Sequence, residues 1–388
     1  MQSRVESADD TAFISLADKA TVELAKPSSP YVDASDLSTK THHAPFFEDA
    51  YAISALTTAY TRTHNAKYLN ASKAWVEKII GYQQQMKPTG AYFPNYSFTR
   101  QPGQTKGDWY VADSSTVAQA VVRVAAIASP QDRARYIASA ETFFNLVENH
   151  YTNPDGGVSD GIWGNFKDSW WSSTANFGAF SIVMYEHTGQ QKYLDRGLKS
   201  FDYLSTQGVQ NFAYPSFEQE APAIVFYVGE FYVRALPHVR GTPRESAATQ
   251  QLQFFMNWLA SNQKSRNAGS SVDYWHMTYM AGMPYIMYAT QNYYPHNEQA
   301  AEQEQVLVHS LLESNGNLSN IEVWELTVWA LWSASRDTQP QPSLNFEGQT
   351  GNAWGRLEIA GTDQKIEESW GKHPDIGESA QPFYHMQI

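Results

Sequence analysis

One unit of sequence recurs along this chain, and recurrence at that scale leaves few folds open. Residues 168–194 read DSWWSSTANFGAFSIVMYEHTGQQKYL. Two tryptophans and a Ser/Thr cluster stand at a helix start, and a helix of small and apolar residues follows. Gly189 supplies a turn, and a second helix opens with Lys192, Tyr193 and Leu194. The segment HNAKYLNASKAWVEKI shares its KYL with TGQQKYLDRGLKSFDYL. About six apolar helices start near Pro45, Asp113, Ser173, Ala221, Tyr274 and Ile321, and all but one have a more polar partner after them. An amphipathic helix over residues 8–25, with Phe13, Ile14, Leu16, Ala17 and Ala20 on one face, supplies the missing partner.

This pattern predicts an all-α fold: a closed toroid of (α/α)6 type, or its (α/α)7 variant, rather than an open α-solenoid. The toroid is expected over residues 1–337, with 338–388 as an irregular tail packed on it.

In such a ring the loops that enter the inner helices lie on one face. Those loops hold His42 and His43; Asn95, Tyr96 and Arg100; Asp108, Trp109, Tyr110 and Asp113; Lys167, Trp170, Trp171 and Asn176; Glu218 and Glu220; Tyr274, His276 and Tyr279; and Asn317, Asn320, Glu322 and Trp324. The loops at the other end are shorter and hold fewer tryptophans. Aromatics are 14% of the chain, with 12 Trp and 23 Tyr, and those in loops suit stacking on sugar rings.

The net charge of −13 excludes nucleic acid as the default partner, because a phosphate backbone needs a Lys/Arg footprint. The chain has no cysteine, so disulfides, thiol nucleophiles and zinc–thiolate sites are out. No run reaches the length of a membrane helix, and no basic-then-apolar leader opens the chain. A periplasmic or secreted protein that does not bind membranes is expected, without cofactor or metal. His42–His43 has no HExxH around it.

Three constellations can carry chemistry. His276 and Tyr279 lie three apart at a helix start, hence on one face, and can serve as base and acid in proton abstraction from a sugar carbon. The structural alternative is a core tyrosine and a satisfied histidine. Abstraction beside a uronate carboxylate also needs a neutralising group, for which Asn176, His42, His43, Arg100, Glu218 and Glu220 compete. Glu218 and Glu220, two apart, can instead act as the carboxyl pair of glycoside hydrolysis, or simply as an acidic helix start. Asp113 is another candidate acid, with helix N-cap as its structural alternative. Trp170 and Trp171 are stacking platforms if exposed and ring packing if not.

The segments HHAPFFEDAYAISAL, GAYFPNY, GDWYVADSS and DSWWSSTANFGAF together resemble toroidal carbohydrate-active enzymes, in particular polysaccharide lyase family 38, over the chain to about Arg336. The resemblance implies β-elimination of an acidic polysaccharide, a 4-linked uronan such as alginate or glucuronan. It implies catalytic roles for Tyr279, His276, His43 and Glu220. Asn176, Arg100, His42, Asn95, Trp109, Tyr110, Trp170, Trp171, Glu218 and Tyr274 would hold the substrate. Two other readings remain: a hydrolase on the same ring, resembling the unsaturated uronyl hydrolases, with Asp113 as acid/base, and a non-catalytic sugar-binding toroid.

Overall fold

The structure is a computed structural model that describes residues 47–84, 86, 89–92, 110–161, 167–208 and 217–266, with positions 14, 17, 18, 21 and 22. Its helices are α1 (Phe47–Thr63), α2 (Ala66–Gln83), α3 (Val111–Ile127), α4 (Pro130–His150), α5 (Trp171–Thr188), α6 (Gln191–Gln207), α7 (Phe217–Val239) and α8 (Arg244–Arg266). Extended pairing among the described residues is limited to two isolated antiparallel bridges, Tyr110 with Gly161 and Thr152 with Val158. The expected tail, 338–388, lies outside the described residues.

The odd helices pack on one another in order, α1 on α3, α3 on α5 and α5 on α7, and each even helix packs back on the odd helix before it. Odd helices therefore form an inner layer and even helices an outer one, in the all-α (α/α)6-type toroid. Each odd–even pair is joined by a short turn and is antiparallel. The inner helices thus run in one direction, and their N-termini share one end of the ring. The long connections, 84–110, 151–170 and 208–216, all deliver the chain to that end.

Composition separates the layers. The inner helix α5 is buried without a break from Trp171 to Met184. Such a helix needs small residues to let its neighbours close in, and hydroxyls that satisfy themselves. Ser181 Oγ donates to Phe177 O at 2.7 Å, and in α3 Ser115 Oγ donates to Val111 O at 2.6 Å. The outer helix α4 buries one stripe, Tyr136, Ser139, Ala140, Phe143, Phe144, Leu146 and Val147. Phe144 meets Tyr193 of α6 edge-on at 4.7 Å, and Phe143 meets Phe180 of α5 at 5.6 Å. The boundaries follow local rules. Ser129 caps α4 ahead of Pro130, and Gly189 ends α5 at φ +69°, a left-handed turn that favours glycine.

The repeated KYL has a physical role. In α2 the pair Lys67–Tyr68 grips Asp18, with Lys67 Nζ at 2.5 Å and Tyr68 OH donating at 2.6 Å. In α6 Lys192 and Tyr193 grip Glu141 of α4 at 2.5 and 3.1 Å. Arg135–Tyr136 of α4 does the same to Glu77 of α2, with a tyrosine bond of 2.7 Å and a forked arginine contact. Each cation also lies over its neighbouring tyrosine ring, at 4.7–5.1 Å. Arg244 of α8 forks onto Asp202 of α6, at 2.7 Å to each oxygen, with no tyrosine beside it. Each of these outer helices thus holds an acid on the outer element before it. The helical position Asp18 is one such acid, which places that residue next to α2. Tyr136→Phe should cost about 0.5 kcal/mol, because Glu77, which is exposed and keeps Arg135, loses one donor. Denaturant unfolding checks this, and an unchanged midpoint would show that Arg135 alone holds the joint.

Two helix starts differ from the sequence reading. Asp113 is not the cap of α3. The helix begins at Val111 behind Tyr110, with Asp113 inside its first turn. Likewise α7 begins at Phe217, which puts Glu218 and Glu220 in its first turn rather than in a preceding loop.

Candidate active site

The starts of α3 and α5 are stitched to the loop at 151–161. Gly161 bridges Tyr110, Asp160 O accepts from Val111 N at 3.2 Å, and Val158 O accepts from Trp170 N at 2.8 Å. The loop is itself fastened. Asp155 accepts from Gly157 N and from Ser169 Oγ, and Asn153 donates to Lys167 O and Ser169 Oγ. Arg196 of α6, buried, donates to Gly156 O and to Ser200 Oγ, and Glu148 stands 3.8 Å from it. A Cβ on Gly157 would meet Ser169 at 2.3 Å, so only glycine fits there.

Asp113 sits in the first turn of α3, with both carboxyl oxygens buried. Among the described helices, α1, α5, α2 and α4 pack on α3. Asp113, Thr116, Val117 and Gln119 keep 4–6% of their surface, whereas Val111, Ala112, Ala118 and Val121 keep none. The spacing 113, 116, 117 is one helical face. The site end therefore holds a buried carboxyl in the first turn of an inner helix. Glu218 and Glu220 belong to the first turn of α7, at the same end.

Asp160 is a second carboxyl at this end, and it lies between α3 and α5. Ser173 Oγ of α5 donates to its Oδ1 at 2.5 Å, while Oδ2 is buried and has no hydrogen-bond partner among the described residues. Burial pushes its carboxyl up to about 7, and the Ser173 bond opposes this in part. Ser114 Oγ and Trp171 Nε1, in the same first turns of α3 and α5, are also buried without hydrogen-bond partners among the described residues. Buried polar atoms of this kind ordinarily find a water or a ligand.

Asp160 also makes stability depend on pH. Its folded-state value stands above its ordinary 3.8, so its contribution is fullest at low pH. Stability should fall as the pH rises toward about 7, by on the order of a few kcal/mol, and then level off. Thermal unfolding between pH 4 and 8 checks this against Asp160→Asn. Equal slopes in both proteins would remove Asp160 as the source.

The structure brings together some of the expected residues. Tyr110 is buried and starts α3, and Trp171 is buried in the first turn of α5, with Trp170 half-buried before it. The two tryptophans are thus largely part of the ring wall. Asn176, expected on substrate, is buried and donates from Nδ2 to Ala112 O at 3.3 Å. Glu218 and Glu220 are placed by backbone alone. His42, His43, Asn95, Arg100, Trp109, Tyr274, His276 and Tyr279 lie outside the described residues. Asp160 was missed, since GGVSDG carries no periodicity. The only local hint was an acid just ahead of an aromatic loop.

The model of glycosyl hydrolase family 76 matches residues 13–217, more than half of the 388-residue chain. The chain belongs to glycosyl hydrolase family 76. Three solved structures share the ring. A family 76 glycoside hydrolase from a bovine Bacteroides thetaiotaomicron strain is 13% identical, with 84% of this chain and 78% of that one covered and a TM-score of 0.56. A family 76 mannosidase, Bt3792 from Bacteroides thetaiotaomicron VPI-5482, is 13% identical over 84% of this chain and all of its own, at a TM-score of 0.56. A D-mannose isomerase is 12% identical over 86% of this chain and 100% of that one, at 0.58. At these identities the likeness shows the fold alone. Among curated proteins no sequence matches the chain.

Membership of family 76 overturns the resemblance to polysaccharide lyase family 38, and with it the lyase activity, the β-elimination and the alginate or glucuronan substrate. The reason is physical. Aromatic, glycine-rich entry loops serve any sugar-binding toroid, whichever way the bond is broken. The family is carbohydrate-active and implies a polysaccharide substrate, whose acidic nature does not follow. The matched stretch contains Asp113, Asp160 and Asn176 and stops before Glu218. No helix among the described residues is long and apolar enough to cross a membrane.

Proposed function

We propose that this family 76 chain hydrolyses α-mannosidic bonds in a mannose polysaccharide, with Asp113 as one of the two carboxyl groups that act on the bond. Hydrolysis of a glycoside needs one carboxyl to protonate the leaving oxygen and another to attack the anomeric carbon or activate water. The observation that carries the reading is the position of Asp113: the first turn of the inner helix α3, at the end the inner-helix N-termini share, inside the stretch matched to the family. The first turn of α7 supplies the candidates for the second carboxyl, Glu218 and Glu220. Mannose is favoured because two relatives that share the fold are named for it, a mannosidase and a mannose isomerase. A polysaccharide does not cross a cell membrane unaided, which favours a secreted or periplasmic site of action.

The test is a panel of α-mannans and mannose oligosaccharides in water enriched in heavy oxygen. New reducing ends carrying the heavy isotope, with no gain in near-ultraviolet absorbance, are expected. Conversion of free mannose to fructose without chain cleavage would make the protein an isomerase. No turnover of any mannose polymer would remove the substrate assignment.

A further inference from the structure

The three residues that precede Asp113 are each held from outside α3. Tyr110 pairs with Gly161, Val111 N donates to Asp160 O, and Ala112 O accepts from Asn176 Nδ2 at 3.3 Å. Asp160 and Asn176 are themselves tied to the same helix. Ser173 Oγ donates to Asp160 Oδ1 at 2.5 Å, and Asn176 follows Ser173 by three residues, on the same face of α5. Both ties are buried. One face of α5 therefore fixes where the first turn of α3 begins.

We propose that Asp160 and Asn176 are positioning residues for Asp113, which clamp the start of α3 to α5 and so set the direction in which the Asp113 carboxyl points. The proposal rests on the role given to Asp113 above. A carboxyl on the first turn of a helix moves with that turn. A shift of the turn by a fraction of a turn's rise would carry it out of line with the glycosidic bond. Substrate contacts elsewhere on the entry loops would remain, so the loss falls on turnover and not on binding.

The state of Asp160 adds a readout. Its carboxyl is raised to about 7, so it is protonated below neutrality and can then keep the loop and α5 together without an unpaired charge. The other ionisable groups on the described elements around it are Tyr110, Asp113 and Arg123 at and along α3, Tyr151, Asp155, Lys167 and Asp168 on its own loop, and Arg196 of α6, which donates to Gly156 O; α5 has none before Tyr185. Ionisation of Asp160 above neutrality places a buried charge in the joint and loosens it.

The experiment compares wild type, Asp113→Asn, Asn176→Ala, Asp160→Ala and Asp160→Asn on an α-linked mannose oligosaccharide, with kcat, KM and a pH profile for each. Asn176→Ala and Asp160→Ala should lose kcat by on the order of 10²-fold with KM little changed. Asp160→Asn should restore most of the loss seen in Asp160→Ala and move the alkaline fall in kcat, near pH 7 in wild type, to higher pH. Wild-type kcat in both alanine variants, beside an inactive Asp113→Asn, would overturn the positioning role and leave the function intact. An active Asp113→Asn would instead overturn the function. A loss of kcat that tracks the unfolded fraction, with an unmoved pH profile in Asp160→Asn, would make the clamp purely structural and overturn the proposal.

Discussion

Asp113→Asn should lower kcat for α-mannan hydrolysis by on the order of 10³-fold. The amide is isosteric with the carboxyl, so the packing of the first turn of α3 is retained. It can neither take nor give the proton that glycoside cleavage moves, and it is a poor nucleophile. The effect should therefore appear in kcat, with KM and the unfolding temperature close to wild type. A variant with full activity would remove Asp113 from the mechanism and turn attention to the start of α7. A variant that fails through unfolding would show that Asp113 holds the helix together instead.

The second large effect concerns the packing of the ring. Gly178→Leu should destabilise the protein by roughly 3 kcal/mol or more. Gly178 lies midway along α5, where a Cβ would stand 2.6 Å from Phe231 Cε2 of α7 and 2.8 Å from Ser200 Cβ of α6. An inner helix has an inner neighbour and an outer partner on adjoining sides, so it cannot move away from one without moving into the other. Gly197 makes the reciprocal approach, with a Cβ 2.8 Å from Ile182 of α5. Gly81 of α2 is the control, because nothing stands within 4 Å of a Cβ there. Gly81→Ala should stabilise by about 0.5 kcal/mol through helix propensity. Chemical denaturation of both variants reads the contrast. Equal midpoints for Gly178→Leu and wild type would mean that α5 does not pack as closely as the structure has it.

Much of the ring was legible because the outer helices repeat a chemical device. KYL at residues 67–69 and 192–194 marked equivalent positions, and Arg135–Tyr136–Ile137 proves to be a third copy with arginine in place of lysine. The inner helices were visible as runs of Ala, Ser, Gly and Val with no polar stripe. The start of α3 was misread, since Asp-Ser-Ser looks like a cap. The loop at 151–161, some fifty residues further on, carries the pairing that lets the helix begin at Val111 without a side-chain cap. A cap supplied across the fold leaves no local trace. Asp160 was invisible for the same reason: its burial is set by α3 and α5 together. The chemistry was misassigned because the motifs that stood out were the aromatic ones, and stacking surfaces do not distinguish elimination from hydrolysis.

The most direct test is a crystal structure of Asp113→Asn soaked with an α-linked mannose oligosaccharide. The account predicts sugar rings at the N-terminal end of α3, α5 and α7, with the residue 113 amide within hydrogen-bond distance of a glycosidic oxygen or an anomeric carbon's neighbours. Sugar bound at the opposite end of the ring, near the C-termini of those helices, would contradict it.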